Sequence, residues 1–148
     1  MLVPKIIAMI TLPIKLNAHE NITGPGQGHT VAKHVGKDDN FLRNRLINEP
    51  QIPAATSFFN LAQAEAVIND ALAAKKAAIE NWLQIGGIPV FALPFTGVSI
   101  GYGFQRPIVY PHDPAQIAKQ PKEGFSNVRI VLRKGGTFGW YIVTSFPE

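Results

Sequence analysis

The hydrophobic pattern of this chain changes period at Gly86-Gly87, and that change divides it into a helical part and a strand part. Upstream, residues 61–84 set Leu61, Ala64, Val67, Ile68, Ala71, Leu72, Ile79, Trp82 and Leu83 on one helical stripe. Lys75, Lys76, Glu80 and Asn81 fall mostly off it, and Asn60 and Gln63 stand in capping-box spacing at its start. A stripe of this kind is scaffold. Downstream, residues 88–93 and 96–104 are β-rich around Pro94, 106–110 reads as a short edge strand, and 111–124 as a polar, proline-rich loop. The chain closes with a hairpin. Its arms are Asn127–Lys134 and Thr137–Phe146, joined by a two-residue Gly135-Gly136 turn. Alternation in the last arm puts Trp140, Ile142, Thr144 and Phe146 on one face and Tyr141, Val143 and Ser145 on the other. Helices followed by an antiparallel sheet define an α+β domain.

The N-terminal third is more broken. Residues 1–18 read as an extended arm interrupted by prolines, and Asn21–Gly28 as a flexible breaker rather than a phosphate-cradling loop, since Pro25 sits among its glycines. Residues 29–35 make about two helical turns ended by Gly36. Asp38 or Asp39 then caps a second helix, Asn40–Leu46, with Phe41, Leu42 and Leu46 on one face. Pro50 and Pro53 close that unit, and residues 54–59 form a short β-prone segment.

Composition narrows the function. There is no cysteine, which excludes a disulfide framework and thiolate metal sites. Pro4, Pro13 and Lys15 interrupt the apolar start, so it makes a poor signal peptide, and no run reaches the ~18 apolar residues of a membrane span. Stable membrane insertion is not expected. The formal charge of +4 suits a polyanionic substrate or an acidic protein partner.

Four histidines are present: His19, His29, His34 and His112. His29 and His34 lie among Lys33, Lys37, Arg43 and Arg45. Imidazole is the side chain best suited to proton transfer near neutrality, and guanidinium is the best fork for phosphate oxygens. A histidine with an arginine eleven residues further on therefore fits metal-free phosphodiester cleavage. The same residues also fit a capped, solvated helix face. The five-residue separation of His29 and His34 does not place them on one helical face, so no metal site is expected. No nucleophile elbow, P-loop or zinc-protease motif occurs.

The string Gly28-His29-Thr30-Val31-Ala32-Lys33-His34-Val35-Gly36-Lys37, followed by Leu42-Arg43-Asn44-Arg45-Leu46, resembles the opening of the bacterial CdiA C-terminal ribonuclease A-like toxins. Ala55-Thr56-Ser57-Phe58, the helix reaching Trp82-Leu83, and the ending Val131–Lys134 with Trp140–Pro147 resemble the rest. The likeness runs from Gly28 to the C-terminus. It divides the chain into an arm or linker to a larger effector, 1–27, and a toxin domain, 28–148.

The resemblance implies a kidney-shaped ribonuclease A-like fold without disulfides, N-terminal helices packing on a C-terminal antiparallel sheet. It implies a catalytic set of His34, Arg45 and Thr144, with His29 in reserve as the base, and with Lys37, Lys33, Tyr141 and Phe146 as substrate-binding residues. Phe146 stands where the family has a tyrosine, which leaves the general acid to Tyr141, the other histidine or water. The implied chemistry is 2′-hydroxyl transesterification of RNA, tRNA among the candidates, with no cofactor or metal and no action on DNA. A cognate immunity protein is the implied partner. The implied setting is release from a cell-surface effector of the producer and action in the target-cell cytoplasm. Two other readings compete: a non-catalytic RNA- or protein-binding domain, and a toxin of the same delivery system with different nuclease chemistry.

Overall fold

The computed structural model describes residues 9–20, 28–105, 123–136 and 139–148. The expected strand at 106–110, the greater part of the loop at 111–124, His112, Thr137 and most of the Asn21–Gly28 breaker lie outside the described residues. A 3-10 turn, Leu16–His19, is followed by α1 (Thr30–His34), α2 (Asp39–Asn48), β1 (Ala54–Phe58), α3 (Leu61–Ala74) and α4 (Lys76–Gln84). Then come β2 (Val90–Gln105), β3 (Glu123–Lys134) and β4 (Trp140–Pro147). The four strands form one antiparallel sheet in the order β1-β2-β3-β4. The fold is α+β with its helices against an antiparallel sheet, as expected, although β1 enters that sheet from the helical part of the chain.

Local chemistry accounts for most boundaries. Asp38 caps α2 by accepting from the Phe41 amide at 2.8 Å, and Asn60 caps α3 by accepting from the Gln63 amide at 2.8 Å. The Gln63 side chain does not complete a capping box. It donates instead to the Ile100 carbonyl at 2.8 Å, tying α3 to β2. The expected single helix over 61–84 is two, broken at Lys75 (φ −106°, ψ 11°). Residues 73–78 are alanines and lysines that are largely exposed, so no packed side chain holds that turn in line with its neighbours.

The sheet also departs from expectation. Residues 88–93 and 96–104 belong to one strand, β2. Pro94 is tolerated because β1 pairs only with 101–105, which leaves Val90–Thr96 paired on one side. The hairpin loop is longer than two residues, since the Gly135 amide bonds the Gly139 carbonyl at 3.0 Å. Gly136 (φ 71°) and Gly139 (φ 83°) supply the left-handed positions such a turn needs.

The larger core lies between α3, α4 and the sheet and includes Phe58, Ile68, Leu72, Ile79, Ile130 and Leu132, all fully buried. A smaller one under α2 joins Leu42 and Leu46 to Ala55 and Phe104, while Phe41 stays at the surface. The sheet curls until its two outer strands meet: Thr56 of β1 donates its hydroxyl to the Pro147 carbonyl of β4 at 2.7 Å. Gly101 permits that curl. A Cβ there would lie 2.3 Å from the Pro147 ring and 2.4 Å from the Ser57 carbonyl oxygen.

The described part of the expected arm packs into the same larger core, with Ile10, Ile14 and Leu16 buried. Helix side chains take its backbone amides: Glu80 that of Ile10 at 2.8 Å, Asn69 that of Ile14 at 2.7 Å, and Glu65 that of Leu16 at 2.7 Å. Among the described residues, no helix is long and apolar enough to cross a membrane.

Candidate functional site

Helix α1 carries a histidine at each end. His29 is its N-cap, turned out of helical geometry (φ −147°, ψ 21°), and His34 is its last residue. Because His29 lies outside the helix, the five-residue spacing does not separate the two rings. Their centroids are 6.1 Å apart. The backbone of His29 is held by β4, its amide donating to the Val143 carbonyl at 2.9 Å.

That carbonyl belongs to a bulge. Leu132 pairs with Ile142 and the next β3 residue, Val131, pairs with Thr144, so Val143 is the extra residue. The slip overturns the expected alternation. Ile142 faces the core with Leu132, whereas Thr144 and Phe146 pair with Val131 and Arg129 and point to the opposite face. On that face they meet α1 and α2 across a cleft of about 420 Å³ whose lining includes His29, His34, Arg45, Thr56, Thr144 and Phe146. The four residues expected to be catalytic are thus brought together, along with Phe146.

His34 is almost wholly enclosed. Its Nδ1 lies 3.2 Å from the Thr56 carbonyl oxygen. A carbonyl only accepts, so neutral His34 carries its proton on Nδ1 and its lone pair on Nε2. Burial, reinforced by the charges of Arg45 and Lys33 and by His29, drives its pKa from 6.5 down to about 3, although the Thr56 bond pulls the other way. The ring is neutral at pH 7. The Phe146 ring packs beside it, centroids 5.3 Å apart, as an apolar wall.

Arg45 is held in a fork. Its Nε and Nη2 donate to the two carboxylate oxygens of Glu49 at 2.8 and 3.2 Å, one helical turn on. The hydrogen bond from Arg45 keeps the Glu49 carboxyl below its usual range. Two of the five guanidinium donors are used there, so the remaining edge can face an anion in the cleft. The Thr144 hydroxyl is buried with no hydrogen-bond partner among the described residues, and an unsatisfied donor of that kind is costly unless a ligand meets it.

The other expected binding residues are placed elsewhere. Lys37 lines a separate shallow cavity with Asp38, Asp39, Asn40 and Tyr102, its ammonium 5.0 Å from the Phe41 ring centre. Tyr141 is buried (1 % exposed) and lines no part of the cleft. Lys33 is half-buried outside the lining, though its charge reaches His34 and Glu49. Sequence reasoning missed Glu49, which its i, i+4 spacing from Arg45 could have flagged. It also missed Thr56 and Gln105, which only the curl of the sheet brings to the cleft. Among the described residues no three histidine, aspartate or glutamate side chains converge as a metal site would require. The cleft presents imidazole, guanidinium and hydroxyl groups, together with the Glu148 carboxylate.

Comparison with known proteins agrees with this fold. Residues 28–147 match the family described as the bacterial CdiA-CT RNAse A domain. No curated protein matches the chain. The chain resembles the crystal structure of a CdiA-CT/CdiI complex from Y. kristensenii, with a TM-score of 0.65 and 25% identity over 82% of this chain and 99% of that one.

Proposed function

The chain belongs to the bacterial CdiA-CT RNase A domain family, and from that premise we propose that it is a metal-independent endoribonuclease toxin. The observation that carries the reading is one cleft holding two imidazoles, a carboxylate-braced guanidinium and a hydroxyl without a partner among the described residues.

RNA supplies its own nucleophile, the ribose 2′-hydroxyl, so the protein needs only to position and to move protons. In this mechanism His34 Nε2 takes the 2′-hydroxyl proton. The 2′-oxygen bonds to phosphorus, and the bond from phosphorus to the 5′-oxygen breaks. The departing 5′-oxygen takes a proton from His29, whose ring centre lies 6.1 Å from that of His34, since Phe146 has no hydroxyl and Tyr141 is outside the cleft. Arg45 binds the non-bridging oxygens as charge builds on them, where one preorganised donor contributes about 3–4 kcal/mol. Thr144 donates its hydroxyl to the same phosphate. The phosphate in turn favours the protonated state of His34, opposing the effect of burial at the moment a proton must be taken.

A ribonuclease of this kind endangers its producer. The reading therefore includes release from a larger cell-surface effector, action in the cytoplasm of a neighbouring cell, and a cognate immunity protein, supported by the CdiA-CT/CdiI pairing of the structural relative. The net charge of +4 favours an acidic face on that partner. The test is to incubate the protein with total RNA, tRNA included, with and without EDTA, and to map the ends. Fragments bearing 2′,3′-cyclic phosphate, formed equally in EDTA and absent with His34→Ala, are expected. Binding without cleavage would replace this reading with that of a non-catalytic RNA-binding domain, and cleavage of DNA or loss on chelation would replace it with another nuclease chemistry.

A further inference from the structure

The family match begins at residue 28, yet residues upstream of it hold both catalytic elements from behind. The ring of His19, 2 % exposed, accepts the Ile142 amide on Nδ1 at 3.0 Å. Ile142 is the residue immediately before the bulge that turns Thr144 into the cleft. The ring also packs on Trp140, centroids 5.1 Å apart. Next in sequence, Glu20 places its two carboxylate oxygens on the Val31 and Ala32 amides at 2.8 and 3.2 Å, the first turn of α1. A five-residue helix forms too few internal bonds to persist alone, so this external carboxylate cap fixes the histidine-bearing turn. Gly28 joins the two clamps. A Cβ there would lie 1.8 Å from the His19 carbonyl oxygen and 3.1 Å from that of Ile142, so strap, α1 and bulge meet where only glycine fits.

We propose that His19 and Glu20 are positioning residues of the reaction: His19 locks the β4 bulge that presents Thr144, and Glu20 locks the α1 turn that presents His29 and His34. The working nuclease accordingly includes the segment at 9–20. This inference rests on the ribonuclease reading. His19 acts through an acceptor atom, and asparagine offers an oxygen close to the Nδ1 position whereas leucine fills similar space without one.

The full chain is compared with His19→Asn, His19→Leu and Glu20→Gln for cleavage of a defined oligoribonucleotide, with kcat and KM separated. Amide exchange at Ile142 and urea midpoints are recorded on the same samples. His19→Leu should lower kcat at least tenfold with KM within twofold and speed Ile142 exchange, while His19→Asn restores kcat to within about threefold. Glu20→Gln, which keeps one acceptor oxygen but no charge, should lower kcat several-fold and speed exchange at Val31 and Ala32. The proposal is overturned if His19→Leu cleaves like wild type, or if asparagine and leucine fall equally in step with their urea midpoints. A wild type that cuts no RNA sinks the ribonuclease reading and this one with it, whereas an active wild type indifferent to His19 and Glu20 sinks this one alone.

Discussion

Acidification from pH 7 to pH 5 should remove a large part of the folding stability, and two buried histidines set the amount. His34 titrates near 3 and His19 near 4 in the folded chain, against 6.5 for an ordinary histidine, both because burial disfavours the charged ring. As pH falls, the unfolded chain gains these protons first, so stability is full above about 6.5 and drains below it until the folded-state values are passed. Integrating between pH 7 and 5 gives about 2 kcal/mol for each ring, or about 4 kcal/mol together, with a slope near 2.4 kcal/mol per pH unit around pH 5. Against a typical domain stability of 5–15 kcal/mol that is a large fraction. Glu49 works in the opposite compartment of the scale: its depressed carboxyl loses stability only as pH falls through the carboxylate range, below this window.

The assay is a series of urea unfolding curves at pH 7, 6 and 5, repeated on His34→Asn, which should lose about half of the slope. A midpoint that stays level from pH 7 to 5 would refute the claim that both rings are buried and neutral. The same geometry shapes the rate profile. With His34 as the base, kcat/KM should hold through pH 5 wherever the chain remains folded, and an acid limb above pH 5 would count against that assignment.

Four further outcomes follow from the cleft and the sheet. Arg45→Lys keeps the charge but loses the fork shared between Glu49 and substrate, and should lower kcat about 10²-fold in the oligonucleotide assay. Glu49→Gln releases the guanidinium without touching substrate; a fall in kcat of about tenfold, partly restored by Glu49→Asp, is expected from the same measurement. Thr144→Val removes a buried hydroxyl that has no partner among the described residues, so the folding free energy from urea unfolding should hold or rise by up to about 1 kcal/mol, while cleavage falls at least tenfold. Gly101→Ala forces a methyl to within 2.4 Å of backbone and should destabilise the fold by about 2 kcal/mol or more, read by thermal unfolding.

The elements were more legible in the sequence than the way they close on one another. Local rules placed α2, α3 and the strand region, because caps such as Asp38 and Asn60 and the stripe from Ala64 to Trp82 act over a few residues. The same rules failed where a neighbour decides. Gln63 turned from its own helix to the Ile100 carbonyl, and Lys75 broke a helix that no partner straightened. In β4, strict alternation set Thr144 with Ile142, and only the pairing with β3 reveals the extra residue between them. His29 and His34 were legible as candidates for one site, but the five-residue spacing puts them on different helical faces only if both are helical, and His29 is not.

A chain without cysteine must close its sheet by packing and hydrogen bonds alone, and here closure and site formation share the same bonds. The Thr56 residue that bridges β1 to the Pro147 carbonyl through its hydroxyl also fixes the His34 tautomer through its carbonyl. The bulge that lets β4 twist toward α1 exposes the Val143 carbonyl that holds His29 and re-aims Thr144. These hydrogen bonds make the geometry of the cleft conditional on complete folding, so an unfolded chain regains its site only when the sheet has curled shut. Partly folded forms should accordingly bind RNA through their positive charge and yet fail to cut it.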